Sequence, residues 1–299
     1  MIEFREITKN YGDIKALDSV SFTIKEGEML GLVGPNGSGK STLLRILTGI
    51  LRPSSGEVLL YGKDLGEKDW LSFKRKIGYM PERISFYDNL TGMEVLNLFA
   101  RIKGVKLNGL PDLLKGIVSE DFLSRRVGTY SKGMRQRLNL AQALVNDPDI
   151  LILDEPTSGL DPVGTKDFYE TLLAVRQRKG LTVLLSSHVL AEIEARVDRV
   201  AILKNGSLKA IGSLTELYTG LNLPLKLSIL PAVSMNGSVE DVLRGEGVKD
   251  ITKRDGYIYA TIPRNEKMRV LSSLMEKRDS FVDLTVIEPS LEEVFFGLH

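Results

Sequence analysis

The sequence of 299 residues contains no cysteine, which excludes structural disulfides, thiolate-bound zinc and thiol nucleophiles. Histidine is almost as scarce, with only His188 and His299. No stretch approaches the ~18 to 20 uninterrupted apolar residues that a membrane-spanning helix needs. The longest strand-like apolar runs are Ile150 to Leu153 and Leu181 to Leu185. The opening residues MIEFREITKN are charged and lack the apolar core of a secretory signal, so a cytoplasmic location is expected. A net charge of +1 supplies no global attraction to nucleic acid or to an anionic membrane, and no nucleic-acid partner is expected.

What is present is enough apolar material, 42% of residues, to bury a substantial core in one large domain or in a large domain plus a small one. Ile2–Ile7 and Ser19–Ile24 alternate apolar and polar residues, and Met29–Val33 is nearly continuous apolar sequence. That order reads as antiparallel strands leading into a buried parallel strand. Further apolar strands at 150–153 and 181–186, with helical stretches before and between them, give the rhythm of a doubly wound α/β sheet. Between about 88 and 145 the pattern is helical without a convincing strand, and residues 101–137 carry nine Lys/Arg against three Asp/Glu. An inserted helical subdomain is expected there, its charge read as a solvated face. A break at Thr219-Gly-Leu-Asn-Leu-Pro224 separates a domain at 1–219 from a small α+β domain at 220–299. The second part reads strand 225–230, helix 238–244, strand 257–263, helix 266–277, strand 281–288, similar to a ferredoxin-like module.

The chemistry is concentrated in the first part. Gly34, Pro35, Asn36, Gly37, Ser38, Gly39, Lys40 and Ser41 match G-x-x-x-x-G-K-[ST], with Thr42 next, after the strand 29–33 and at the start of a helix. Glycines let backbone N–H groups wrap phosphates, and the helix N-terminus adds a favourable dipole. Lys40 is expected to reach the β- and γ-phosphates of ATP, and the Ser41 hydroxyl to ligate Mg²⁺. The strand Ile150–Leu153 ends in Asp154 and Glu155. Acids at the carboxyl edge of a buried strand fall beside such a loop, so Asp154 is expected on Mg²⁺ and Glu155 as the base for an attacking water.

The order and spacing of these motifs resemble an ABC-type ATPase over residues 1–220. The resemblance implies a P-loop α/β fold with a mixed core sheet, an antiparallel β subdomain and an inserted helical subdomain. It also implies further site residues. Tyr11 is similar to the aromatic that stacks on adenine, and Glu82, in Gly78-Tyr-Met-Pro-Glu82, stands where the family has a glutamine that senses Mg²⁺ and the transmembrane partner. Ser131, Lys132, Gly133 and Met134 resemble the signature loop that contacts the γ-phosphate held by the opposite subunit. Asp161 closes a loop linking the two sites of a homodimeric ATP sandwich, and His188 matches the switch histidine. Two departures stand out: Glu82 brings a carboxylate in place of an amide, and Lys132 with Met134 replaces Gly and Gln. Lys132 places a cation near incoming phosphates, while Met134 cannot give the hydrogen bonds of a glutamine.

These variants, the segment Phe86–Val95 and the tail Glu288–Phe295 look like the ABC-2 exporter branch. Within it, Arg83–Tyr87, Tyr130–Arg137 and Gly212–Leu214 resemble the ATPase of the copper-related system that matures nitrous oxide reductase. The expected function is therefore the ATP-hydrolysing subunit of an exporter, held at the inner face of the membrane by a separate ABC-2-type permease. A soluble ATPase acting on ribosomes or DNA is the alternative, and a chain that binds ATP without hydrolysing it is a third. Phe295 and Phe296 read as core or dimer contacts, and the C-terminal domain as regulatory or dimer-stabilising.

Overall fold

The computed structural model describes residues 1–64, 73–220, 223–232, 236–290 and 292–293. Phe295 and Phe296 lie outside these residues. The chain divides into two compact units, Met1–Ile211 and Gly212–His299.

The first unit contains two sheets. Strands β1 (Ile2–Tyr11) and β2 (Ile14–Ile24) form a long antiparallel hairpin with irregular register, and β4 (Ser55–Leu60) and β5 (Lys63–Asp64) extend it in the order β2-β1-β4-β5. The strands run longer than the alternating segments of the sequence, because register shifts between Phe4 and Asn10 interrupt the period of two that marks a regular strand. Its inner face is apolar, with the Phe4 and Phe22 rings stacked at 4.6 Å. The second sheet has six strands in the order β10-β9-β3-β8-β7-β6: β3 (Met29–Val33), β6 (Ile77–Met80), β7 (Ile150–Leu153), β8 (Thr182–Ser187), β9 (Arg199–Lys204) and β10 (Ser207–Gly212). β3 runs parallel to β8 and β9, and β7 runs parallel to β8 and β6. Every residue of β3, β7 and β8 is buried, which is why these strands read as continuous apolar runs. One apolar core joins both sheets to α1 (Lys40–Leu47).

Three α-helices and no strand occupy about half of the expected helical region: α2 (Gly92–Ile102), α3 (Glu120–Ser124) and α4 (Lys132–Leu144). Thr91 and Glu94 form a reciprocal capping box on α2. α4 docks on β6 through side-chain amides, Asn139 donating to the Pro81 carbonyl at 3.1 Å and Gln142 to the Tyr79 carbonyl at 3.0 Å. α5 (Pro162–Lys179) starts from an Asp161 cap and ends at Gly180 in the left-handed conformation. A short helix α6 (Leu190–Glu194) follows β8.

The second unit holds α7 (Leu214–Gly220), β11 (Leu225–Pro231), α8 (Asn236–Gly245), β12 (Ile251–Arg254), β13 (Tyr257–Ile262), α9 (Lys267–Glu276) and β14 (Phe281–Ile287). The sheet order β12-β13-β11-β14 is ferredoxin-like. Strand β12 is an element the sequence reading did not contain. Its three exposed residues after Ile251 carry no apolar alternation, and its place is fixed by pairing with β13. The break between units falls before α7 rather than after it, and within the second unit Arg264 lies over the Tyr218 ring of that helix at 6.0 Å. No helix among the described residues is long and apolar enough to cross a membrane.

Candidate active site

Parallel strands lend their carboxyl ends to a site, because the loops that leave them there converge on one edge of the sheet. In the central order β3-β8-β7-β6, the four ends deliver Gly34 to Ser41, His188, Asp154 with Glu155, and Glu82. Asn36, Gly37, Gly39, Lys40, Ser41, Thr42, Glu82, Glu155 and His188 line one cleft of about 500 Å³. Ala16, which no motif singled out, and Ser158, from the loop that ends in Asp161, complete its wall.

The loop after β3 is shaped by its glycines. A Cβ on Gly34 would stand 2.2 Å from the Leu203 carbonyl oxygen, and one on Gly39, at φ 105°, would stand 2.7 Å from the Ala16 carbonyl oxygen. Neither position admits a side chain without moving backbone. The buried Ser38 hydroxyl has no hydrogen-bond partner in the structure, an orphaned group at the loop itself. Lys40 is buried and donates to the Gly34 carbonyl at 2.7 Å and the Pro35 carbonyl at 3.3 Å, holding its ammonium at the mouth of the loop.

Opposite it stands a chain of polar contacts. Glu155 Oε1 lies 3.5 Å from Lys40 Nζ, and Glu155 Oε2 lies 2.7 Å from His188 Nδ1. A carboxylate only accepts, so the hydrogen of this contact sits on Nδ1. The Glu155 backbone is in the left-handed region at φ 46°, a conformation that costs a non-glycine residue on the order of 1 to 3 kcal/mol. Ser186 holds it there, its hydroxyl accepting from the Glu155 N–H at 2.9 Å while donating to Asp154 Oδ1 at 2.7 Å. Ser41 Oγ lies 3.3 Å from the same oxygen. Gln136 reaches in from α4 to donate to the Pro156 carbonyl at 2.8 Å. Burial, and then the charge of Asp154, push the nearby Tyr79 hydroxyl up to about 12, with Arg45 partly opposing. It stays protonated at any physiological pH.

Ser41 and Asp154 offer a hydroxyl and a carboxylate side by side. Among the described residues no group of three or more His, Cys, Asp or Glu is placed to hold a metal ion. This donor set does not fit zinc or copper; it fits a hard divalent cation that keeps most of its waters and shares a substrate phosphate.

The remaining expected residues lie elsewhere. Tyr11 sits at the tip of the β1/β2 hairpin, 45% exposed, with Lys9 Nζ 5.4 Å from its ring centroid. It does not line the cleft, although Ala16 of the same hairpin does. Ser131 caps α4, accepting from the Met134 N–H at 3.2 Å. Ser131, Gly133 and Met134 line a separate cleft of about 190 Å³ together with Phe122, Leu160 and Phe168. Lys132 turns the other way: its ammonium lies over Gly159 of its own chain, where an added Cβ would be 1.8 Å from Nζ. Asp161 spends its carboxylate on capping α5, accepting from the Gly164 N–H at 2.7 Å. Within one chain, then, Ser131, Gly133 and Met134 lie on a different surface from the P-loop cleft, while Lys132 lines a pocket with Glu82 and Ser158 beside it.

Ser186, two residues before His188, is a site residue that the motifs do not mark. Nothing local marks it, since its two partners lie 31 and 32 residues away.

Comparison with known proteins agrees with this geometry. Residues 17–158 match the family model described as ABC transporter. The chain is 34% identical over 299 residues to the uncharacterized ABC transporter ATP-binding protein YhcH of Bacillus subtilis (strain 168), covering 100% of this chain and 95% of that protein. It is 38% identical over 209 residues to the bacitracin transport ATP-binding protein BcrA of Bacillus licheniformis, covering 70% of this chain and 68% of the relative. The linearmycin resistance ATP-binding protein LnrL of Bacillus subtilis (strain 168) is 30% identical over 306 residues, spanning 100% of this chain and 98% of its own length. Among solved structures, the dimeric bacterial ABC transporter cassette MJ0796 superposes with a TM-score of 0.63 at 29% identity, covering 72% of this chain and 99% of that one. The same cassette is also known in a dimeric post-hydrolysis state bound to ADP and Pi, with a TM-score of 0.62. A phosphate-wrapping loop, an acid pair at the same edge of the sheet two strands away and full-length relatives lead to one conclusion: the chain belongs to the ATP-binding subunits of ABC transporters and is an ATPase.

Proposed function

We propose that this chain is the motor of an exporter, hydrolysing ATP between two head-to-tail copies and passing the resulting motion to a separate ABC-2-type permease. The observation that carries the catalytic half is the placement of Glu155, one carboxylate oxygen 3.5 Å from Lys40 and the other 2.7 Å from His188. In this reading Lys40 and the P-loop amides hold the β- and γ-phosphates, and Tyr11 stacks on the adenine. Ser41 and Asp154, with Glu82 facing the same cleft, hold Mg²⁺, which supplies charge neutralisation of the transferring phosphoryl group. Glu155 takes a proton from water as the water oxygen bonds to the γ-phosphorus and the bond to the ADP oxygen breaks. His188 fixes the carboxylate through Nδ1.

The separation of the signature residues from the P-loop of the same chain supports completion in trans, with Ser131 and Gly133 meeting the phosphates held by the partner and Asp161 linking the two sites. Relatives named for bacitracin transport and linearmycin resistance favour export over import. They outweigh the likeness to the copper-related maturation system, which rests on short segments alone. A permease partner places the chain at the cytoplasmic face of the membrane, and the second unit is assigned to regulation or dimer stability.

Glu155→Gln tests the core of the proposal. It keeps an acceptor for His188 but removes the base, and phosphate release falls about 10²-fold or more. ATP then accumulates in a stable dimer on size-exclusion chromatography. Turnover at the normal rate would remove Glu155 from the role of base. Co-purification of a permease from gently solubilised membranes tests the transport half.

A further inference from the structure

Behind the cleft the loops that carry the site meet at a second polar cluster, which the mechanism above does not use. Thr157 is two residues beyond Glu155, Glu192 lies on α6 four residues beyond His188, and Tyr169 lies on α5 beyond Asp161. Thr157 is buried and donates from Oγ1 to Glu192 Oε2 at 2.7 Å, a contact that bridges 35 residues of sequence. Glu192 is tied in turn to Arg196, which donates to its backbone carbonyl. The Arg196 guanidinium lies 4.6 Å from the centroid of the Tyr169 ring. Tyr169 is almost wholly buried, and its hydroxyl sits beside Thr157 without a hydrogen bond of good geometry. Burial pushes it up to about 12, with the Thr157 hydroxyl, and then the charges of Glu192, Arg196 and Glu155, acting on it more weakly. It remains a neutral ring under a cation.

We infer that Glu192 is a positioning residue of the ATPase reaction: by holding Thr157 it locks the loop carrying Glu155 to the helix that follows His188. The argument is geometric. Glu155 and His188 belong to different strands, β7 and β8, and their side chains meet over 2.7 Å at the ends of two loops. Beyond the contacts that Glu155, Ser186 and His188 make at the site, Thr157 to Glu192 is a further side-chain tie between the two segments. A charge-assisted hydrogen bond at a half-buried position is stronger than a neutral one and directional, which suits it to fixing the relative height of two turns. Arg196, Tyr169 and α5 supply the rigid backing, because a ring packed in the core cannot follow a loop that shifts. Glu192 does not line the cleft, so its effect runs through the base.

This inference rests on Glu155 being the base. It predicts a loss in kcat with little change in KM, since the P-loop that binds ATP is untouched. In full-length protein, Glu192→Ala lowers kcat about tenfold while KM for ATP stays within about twofold. Thr157→Val gives the same loss, and the double variant is no slower than either single one, as expected for two halves of one contact. Glu192→Gln, which keeps an acceptor for the Thr157 hydroxyl, restores kcat to within about threefold of the parent. Should Glu192→Ala fold poorly, Thr157→Val and Glu192→Gln still decide the matter. A kcat for Thr157→Val within twofold of the parent, losses that multiply in the double variant, or a KM that rises in step with the fall in kcat would each overturn the inference. Glu155→Gln measured alongside separates the two levels. If it is inactive while Glu192→Ala is normal, only the positioning role fails; if it is fully active, the assignment of the base fails first.

Discussion

The two units spend polarity in opposite ways. In the first, Lys40, Asp154, Glu155, Thr157, Ser186 and Ser187 are all buried, and they cluster where the parallel strands end. In the second, the buried core of Leu225, Leu227, Ile229, Val239, Leu243, Ile258, Ile262 and their neighbours is apolar, and Ser280 is the one buried polar residue among those described. Burying a charge is expensive unless it is paired and hydrogen-bonded, so a protein retains such a cluster where it has a task. The core of the second unit holds no such cluster among the described residues. Some of its ion pairs are on the surface, such as Arg254 with Asp255, about four-fifths exposed on both sides and worth little.

If this contrast holds, substitutions should divide cleanly between activity and stability. Lys40→Arg should give the largest effect. It keeps a positive charge against Glu155 yet replaces a point charge by a planar fork that cannot enter the loop, and phosphate release falls about 10² to 10³-fold. The melting temperature, followed by circular dichroism, shifts little. Ile229→Ala in the second unit should do the reverse, costing about 2 to 5 kcal/mol in denaturant melts of the full chain, with the transition of that unit moving to lower urea. A large activity loss from Ile229→Ala with unchanged melts would break the comparison.

Lys103 sharpens it, because it is a deeply set charge of the first unit away from the cleft. Its ammonium donates to the Gln142 carbonyl at 3.0 Å, the Ala143 carbonyl at 3.2 Å and Asn146 Oδ1 at 2.8 Å, closing the end of α4. Burial nevertheless pulls it down to about 8 from the ordinary 10.5. Below that lower value both folded and unfolded chains carry the proton and the penalty is constant. Between the two values the unfolded chain binds more protons, so stability rises with pH, by at most about 1.4 kcal/mol per unit. Urea melts from pH 8 to 10 should show this rise in the parent, and Lys103→Met should lack it.

Much of the site was legible in the sequence because backbone chemistry dictates it locally. Only glycine fits at Gly34 and Gly39, and an acid pair after a wholly buried strand has one edge to occupy. The central strands were legible for the same reason. Other features were not. Ser186, Gln136, Ala16 and Glu192 act through contacts across the fold, and their local sequence gives no period or spacing to read. Strand β12 was hidden by its exposure, since half-covered strands are recognised by alternation and this one has none. The boundary between units lies before α7, where the sequence carries only a helix-start signal, Ser213 and Glu216 capping each other, and not a loop-like break such as 219–224.

The strand order has a consequence for the order of synthesis. β3 carries the P-loop, yet both of its neighbours in the sheet are distant: Met29 pairs with Val183, and Leu30 pairs with Arg199. At about 5 to 20 residues per second, roughly 8 to 30 s pass on the ribosome between the emergence of β3 and that of its first partner. During that interval the hairpin of β1 and β2 can form by local contacts, but the nucleotide-wrapping loop has no sheet to stand on. A nascent chain arrested before residue 182 should therefore lack nucleotide affinity even though every residue of the P-loop has been made.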